Sequence, residues 1–118
     1  MSRAQYDLDT AKAMLDAERH FYVYFCCQQA VEKALKAIIA AKTKKLPPRL
    51  HNLRDLAGIA GVEADGPRLK LMLDLTNFYI HSRYPGSVGG FADEGGTAAD
   101  VLRKSEEMVQ WIYSSGTK

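Results

Sequence analysis

Hydrophobic residues recur every three or four positions along most of this chain, which is the spacing of amphipathic helices. The pattern predicts four longer helices and, third in order, one short helix, at about 2–18, 20–43, 52–60, 67–84 and 98–114. We find no alternating strand pattern, internal repeat or domain boundary in the sequence. We therefore expect one all-α domain over residues 1–118, an antiparallel bundle of four longer helices with one short connecting helix.

The second predicted helix shows the clearest division into apolar and polar faces. Its expected core stripe consists of Cys27, Val31, Ala34, Leu35, Ile38 and Ala41. A line of small side chains that would let another helix approach closely consists of Cys26, Ala30, Ala37 and Ala41. The polar side consists of Gln29, Glu32, Lys33 and Lys36. Glu32 and Lys36 stand four residues apart in the order that favours an ion pair.

Proline and glycine mark the ends of these helices. The two prolines at 47–48 cannot continue the second helix, and Gly61 suits the C-terminal cap of the short helix. His51 stands just before the short helix. Two interpretations of this histidine are open: it caps that helix, or it shares a polar pocket with Arg83.

The fourth predicted helix carries two apolar stripes, whereas an ordinary surface helix needs only one. The stripes are Leu69, Met72, Leu73, Thr76 and Ile80, and Leu71, Leu75 and Phe78. This helix is therefore expected either to be central in the bundle or to be covered by a second subunit. Its narrow polar stripe consists of Lys70, Asp74, Asn77 and His81.

The last predicted helix has a clean apolar stripe, with Thr97 as its expected N-cap. Trp111 falls off that stripe. A tryptophan in such a position either folds over the edge of the bundle or anchors an interface with another molecule. The sequence does not choose between these two interpretations.

Composition places the chain in the ordinary globular range, with 47% hydrophobic and 25% charged residues. The net charge of +2 is too small to indicate nucleic-acid binding by itself. The basic run "KTKKLPPR" is interpreted as a solvated loop, with a phosphate-contacting loop as the alternative. The adjacent Cys26 and Cys27 lack a metal-binding spacing and are interpreted as small buried hydrophobes, so we expect no metal and no cofactor.

The N-terminal residues have no apolar signal core, and the longest strongly apolar stretch, "FYVYFCC", is far too short to cross a bilayer. We therefore expect no membrane association and a cytoplasmic, reducing location. The glycine-rich stretch "PGSVGGFADEGG" contains neither of the glycine patterns that bind nucleotide phosphates.

The stretch "HSRYPG" raises the question of a catalytic pair. His81 can serve as an acid or base near neutral pH, and Arg83 can bind a phosphate through two hydrogen bonds. Residues two apart on a helix lie about 200° apart, so these two side chains do not share one face. Alternatively His81 bonds to Asn77 or Asp74, and Arg83 neutralises the helix end.

Arg83 also has Glu32 of the second helix as a candidate partner. Tyr84 is expected to be packed, with its hydroxyl bonded at the rim of the bundle.

Four short motifs, in order, resemble those of the HEPN domain family. They are "DL" with a following alanine (Asp7, Leu8, Ala11), "QQAVEKALKA" (Gln29, Glu32, Lys33, Lys36), "HNL" (His51, Leu53) and "RYP" (Arg83, Tyr84, Pro85). The resemblance runs from about residue 4 to residue 112. It raises the expectation that the polar residues of the second helix, together with Arg83 and Tyr84, form a site against the fourth helix.

This resemblance implies a prokaryotic all-α protein that is usually dimeric. Such proteins are often encoded beside a minimal nucleotidyltransferase and pair with it, commonly as a toxin–antitoxin unit. Many relatives are metal-independent ribonucleases in which an arginine is followed, after four to six intervening residues, by a histidine. No arginine of this chain has a histidine at that spacing.

Two functions are therefore expected as alternatives. The favoured one is a homodimeric partner-binding module of a minimal nucleotidyltransferase. The other is a ribonuclease, or a protein that binds RNA or nucleotides, with a non-standard site that includes His81, Arg83 and His51. Because the ribonuclease spacing is missing, the sequence leaves open whether the protein is an enzyme.

Overall fold

The computed structural model describes residues 2–82 and 95–116, and within them it contains five helices and no strand. The helices are α1 (Arg3–Asp16), α2 (His20–Thr43), α3 (Leu53–Ala60), α4 (Gly66–His81) and α5 (Gly95–Gly116). The predicted all-α bundle of four longer helices and one short helix is confirmed. The predicted sites at Arg83 and Tyr84 lie outside the described residues.

Helix α2 is the centre of the bundle and contacts each of the other four helices. The expected core residues Cys27, Val31, Ala34, Leu35 and Ile38 are all buried. Ala41 and Ala37 are exposed, so their expected roles in the core stripe and in close helix contact were wrong. For Ala41 the reason is one of length: Gly116, the last residue of α5, packs against Ile38, and α2 continues beyond it.

Helix α4 buries one of its two apolar stripes completely, through Leu71, Leu75 and Phe78. The other stripe is divided. Met72 and Thr76 are buried, whereas Leu73 and Ile80 stay 38% and 45% exposed. Helix α4 is thus more deeply embedded than a surface helix requires, and an apolar remnant still faces outward.

The ends of α3 are held by its neighbours in sequence. The Asn52 side-chain oxygen accepts a hydrogen bond from the backbone N–H of Asp55 at 3.1 Å, so Asn52 caps the helix. The interpretation of His51 as the cap was wrong, because the helix begins one residue later than the pattern indicated. Gly61 closes the other end with a φ of 74°, as expected of a left-handed cap.

Three further expectations concern the start of α5, its tryptophan and the cysteines. Thr97 lies inside the first turn of α5 and is not its N-cap; a cap preference of about 1 kcal/mol is too small to set a helix start by itself. Trp111 is half-buried against the core, with the Arg68 guanidinium 4.4 Å from its ring centroid. Cys27 is buried as expected, whereas Cys26 is half-buried; burial raises the pKa of the Cys27 thiol to about 12.

Within the two described ranges, none of the helices is both long enough and apolar enough to span a membrane.

The cap at Asn52 yields a stability test. Replacing Asn52 with Ala removes the acceptor for the Asp55 N–H and is expected to lower the free energy of unfolding by about 1 kcal/mol, measured by urea denaturation. Asn52→Ser is the matched control, because serine caps about as well as asparagine. Equal losses in the two variants would contradict the assignment of the cap.

Candidate functional site

The polar residues of α2 separate into an inner and an outer group. Glu32 turns inward and is only 6% exposed, although it carries a charge. Lys33, one residue on, turns toward α1, where its Nζ lies 2.7 Å from Asp7 Oδ2. Lys36 is half-buried and follows Glu32 by one turn. The polar side of α2 is therefore not one solvated face, because its carboxylate is part of the interior.

Three donors surround the Glu32 carboxylate. Gln28 Nε2 donates to Glu32 Oε1 at 3.0 Å, and His51 Nδ1 lies 2.9 Å from the same oxygen. Lys36 Nζ donates to Oε2 at 3.2 Å, which confirms the ion pair expected from the four-residue spacing. A buried carboxylate needs such partners, because an unpaired charge in the interior is costly. We call Gln28, Glu32, Lys36 and His51 the Glu32 cluster.

Gln28 belongs to this cluster although sequence reasoning passed over it. It is fully buried, and its Oε1 accepts a hydrogen bond of 2.7 Å from Gln29 Nε2. Gln29 thereby joins the outer surface of α2 to the buried carboxylate. One local signal was available: Gln28 precedes Glu32 by four residues, the spacing at which two helical side chains can bond.

His51 reaches the cluster from the segment before α3. That segment is positioned by the backbone N–H of Leu53, which donates to Thr76 Oγ1 of α4 at 3.1 Å. The imidazole lies against the ring of Tyr79, with ring centroids 4.8 Å apart. Tyr79, also unforeseen from the sequence, thus joins α4 to the site. The His51 side chain stays 44% exposed, so one edge of the ring is accessible.

The electrostatics favour an ionised Glu32. Burial opposes the charge, but the hydrogen bonds from His51, Gln28 and Lys36 outweigh it and hold the pKa of this carboxyl below its usual value. Because the carboxylate engages Nδ1 of His51, it selects the tautomer that carries the proton on Nδ1. Nε2 is then the nitrogen able to accept a proton from another molecule.

An aromatic groove of about 400 Å³ lies beside the Glu32 cluster. Two residues that line it contact the cluster: Gln29 bonds to Gln28, and Tyr79 packs on His51. The lining of the groove consists of Phe21, Tyr22, Phe25, Gln29, Tyr79 and Ser82. A groove of this size and lining can hold a flat organic ring. Ser82 is the last described residue before the segment that contains Arg83 and Tyr84.

The other predicted site residues are less closely associated. His81 lies on the exposed side of α4, in the polar stripe where Lys70 and Asp74 form an ion pair at 2.7 Å. Because Tyr79, which contacts His51, stands two residues before His81, the two histidines lie on different sides of α4. The proposed pairing of Glu32 with Arg83 falls outside the described residues. Among the described residues, no group of three or more potential ligands is placed to hold a metal ion.

A family model for the HEPN domain matches residues 1–115, nearly the whole chain. The chain belongs to the HEPN domain family. Searches of curated proteins and of solved structures returned no significant match. Membership in the HEPN family indicates a function related to nucleotides or RNA, and HEPN domains often form dimers.

The depressed pKa of Glu32 predicts how this HEPN domain responds to acid. A carboxyl whose folded-state pKa lies below the unfolded value of 4.5 stabilises the fold above that pH and loses this contribution as pH falls through the folded pKa. Glu32→Gln removes the titrating group. We therefore expect the difference in unfolding free energy between wild type and Glu32→Gln to be largest above about pH 5 and to shrink toward pH 3.

Urea denaturation of both proteins across that pH range measures the difference. Asp74→Asn is the matched control, since it removes an exposed carboxylate of an ion pair that contributes little. A difference between wild type and Glu32→Gln that stays constant with pH would contradict the assigned role of the Glu32 charge.

Proposed function

We propose that this HEPN protein is a homodimeric module that binds a minimal nucleotidyltransferase, as one half of a toxin–antitoxin pair in the cytoplasm of a prokaryote. The partner class follows from the family resemblance. The dimer is supported by one observation in the fold: Leu73 and Ile80, from the second apolar stripe of α4, stay exposed to solvent. The single domain proposed over residues 1–118 would act as one unit in this assembly.

The outer face of α4 carries the argument for a dimer. Leu73 and Ile80 are seven residues apart, so they lie on one line about 10 Å apart along the helix. Both keep a large part of their side chains in solvent, while the opposite face of α4 fills the core. Scattered exposed apolar residues are normal in monomers, but an aligned pair on a helix that is otherwise deeply packed suits a second copy of the chain.

The arrangement of charged groups also favours binding over catalysis by the family's usual route. The chain has no arginine followed by a histidine at the ribonuclease spacing. Glu32, the carboxylate of the conspicuous polar motif of α2, is buried and accepts hydrogen bonds on both oxygens. Its first role is therefore to hold helices in place.

The dimer can be tested by charge insertion. Replacing Leu73 with Glu is expected to raise the dimer dissociation constant about tenfold or more, since a charge buried at an interface without a partner is costly. Analytical ultracentrifugation at micromolar concentration measures the change. Ile59→Glu is the matched control, because Ile59 is similarly exposed on α3. Wild-type protein that sediments as a monomer would contradict the proposal.

The partner can be tested separately. If the gene beside this one encodes a minimal nucleotidyltransferase, co-expression with a tag on that protein is expected to recover the HEPN protein in a defined ratio by size-exclusion chromatography. A neighbouring nucleotidyltransferase that elutes alone under these conditions would remove the partner assignment and leave the homodimer unaffected.

A second candidate function, RNA processing, is favoured by the geometry of His51. The imidazole is oriented by a buried carboxylate, packs on an aromatic ring and keeps part of its surface in solvent. This is the arrangement by which proteins prepare a histidine for proton transfer. In this alternative His51 is the acid or base, Glu32 positions it, and Arg83 contacts the scissile phosphate.

RNA cleavage in the presence of a chelator tests this alternative. If it holds, His51→Ala is expected to lower the cleavage rate by about 10²–10⁴-fold, the usual contribution of a general acid or base. Arg83→Ala should also lower the rate, whereas Lys70→Ala, a change in an exposed ion pair, should not. Absence of cleavage by wild type and all variants would remove this candidate.

A further inference from the structure

The connection between α2 and α3 presents an apolar side chain among cations. Leu46 is 94% exposed, more than any other large hydrophobic residue that the structure describes. Lys44, Lys45 and Arg49 around it are also exposed, and within the described ranges none of the three forms an ion pair. We call residues 44–50 the basic loop. An apolar anchor with a charged rim is the usual anatomy of a surface that binds another protein.

Local bonds hold the basic loop in a defined conformation. The Thr43 hydroxyl at its start donates to the Ile39 carbonyl at 2.8 Å and accepts from the Lys45 N–H at 3.2 Å. Pro47 and Pro48 fix the φ angles of two further residues. A loop that is already ordered loses little conformational entropy when it binds, so more of its contact energy appears as affinity.

A recess of about 380 Å³ lies along α3 and the turn that precedes α4. Its apolar lining includes Ala57, Gly58 and Val62. Beyond its chain neighbours and the backbone of α3, a Cβ atom added to Gly58 would meet nothing within 4 Å, so space is open at this position. The recess has room for a leucine side chain.

Carboxylates outnumber cations in this recess, which we call the acidic recess. Glu63 and Asp65 line it and are exposed, and in the parts of the chain that the structure describes neither forms an ion pair. Asp65 occupies the N-cap position of α4, yet its side chain makes no capping hydrogen bond. Arg54 also lines the recess, so its three charged groups leave a net negative charge. The recess therefore favours an apolar group that arrives with cations beside it.

The basic loop and the acidic recess both adjoin α3. The loop leads into the start of α3, and Lys42, just before the loop, donates to the Ala60 carbonyl at the end of α3 at 2.7 Å. The recess takes its lining from the same helix and the turn after it. Leu46 stays in solvent and does not line the recess of its own chain. A protrusion and a recess of opposite charge on one region of the surface make that region self-complementary, as a two-fold interface requires.

We propose that a second copy of this chain binds at this surface, with the basic loop of each protomer in the acidic recess of the other. Leu46 enters the recess, and the lysines beside it meet Glu63 and Asp65. Two-fold symmetry makes this contact twice. Because each contact is small, the dissociation constant is expected to lie above about 1 µM, the weak end for interfaces of standard size.

Other classes of ligand fit the two features less well. A nucleic acid or an anionic lipid surface would attract the lysines of the basic loop but would be repelled by Glu63 and Asp65. A phosphate backbone would also leave Leu46 in water. A second copy offers these groups partners of suitable chemistry, because both features are on the same chain.

This inference goes beyond the proposed homodimer and does not depend on it. Leu73 and Ile80, on which that dimer rests, are on α4 and belong neither to the basic loop nor to the acidic recess. A chain with two different two-fold interfaces assembles beyond the dimer, into a closed tetramer or an extended chain. The proposed surface therefore predicts a larger assembly, which salt weakens because exposed charges are screened.

Analytical ultracentrifugation up to millimolar protein concentration separates the two interfaces. Leu73→Glu disrupts the contact through α4, and Leu46→Ser removes the anchor of the basic loop. We expect wild type to exceed the dimer, each single variant to stop at the dimer and the double variant to be a monomer. Leu46→Ser should weaken its contact about tenfold or more, as the loss of an apolar anchor does. Ile59→Ser is the matched control, since Ile59 is exposed on α3 but does not line the recess.

The two proposed interfaces fail in different ways. A Leu73→Glu protein that stays monomeric at every concentration, or a double variant that still forms dimers, overturns the contact between loop and recess. If Leu46→Ser protein is a monomer by itself while Leu73→Glu protein is a dimer, the α4 interface is removed and the contact between loop and recess stands.

A charge exchange tests the reciprocal contact directly. In Leu73→Glu protein, Lys45→Glu and Glu63→Lys each oppose like charges and are expected to prevent dimers. An equimolar mixture of these two variants should form dimers again, because the exchanged charges attract at one contact and the native charges at the other. Both positions are exposed, so circular dichroism should show an unchanged fold. A mixture that remains monomeric overturns the pairing of the loop with the recess.

Discussion

The buried carboxylate of Glu32 is the interaction on which the rest of the site depends. Glu32 belongs to α2, which contacts each of the other four described helices. Its carboxylate bonds to His51 in the segment before α3. Through the ring contact of His51 with Tyr79 it also reaches α4. Removing one partner of a buried charge costs more than the pair itself contributes. The carboxylate therefore requires Gln28, Lys36 and His51 together.

That requirement organises the surface as well as the interior. Two side chains of α2 bond to the buried network, Lys36 directly and Gln29 through Gln28. The ion pair of Lys33 with Asp7 joins α2 to α1. A polar motif that resembles a solvated helix face thus links α2 to α1 and, through His51 and Tyr79, to α4.

The sequence could predict most of the fold, because helical periodicity and chain breaks are local. The apolar stripe from Cys27 to Ile38 is buried as expected, and Gly61 ends α3 where its backbone freedom is needed. Prediction was less successful where length mattered. Ala41 fits the apolar stripe of α2 but lies beyond the end of the neighbouring helix α5. Asn52, and not His51, is the N-cap of α3.

By itself the sequence determined the number and type of the helices, the family of the chain and the residues of its polar motif, since each of these depends on spacing within a short stretch. Only the tertiary structure decided that Glu32 turns inward while Lys33 turns toward α1, and that His51 and Tyr79 meet beside Glu32. His51 is 19 residues from Glu32 in sequence, and no local pattern encodes a contact over that separation. The packing of α3 and α4 on α2 brings these groups together, and that packing follows from burial of apolar area across the whole bundle.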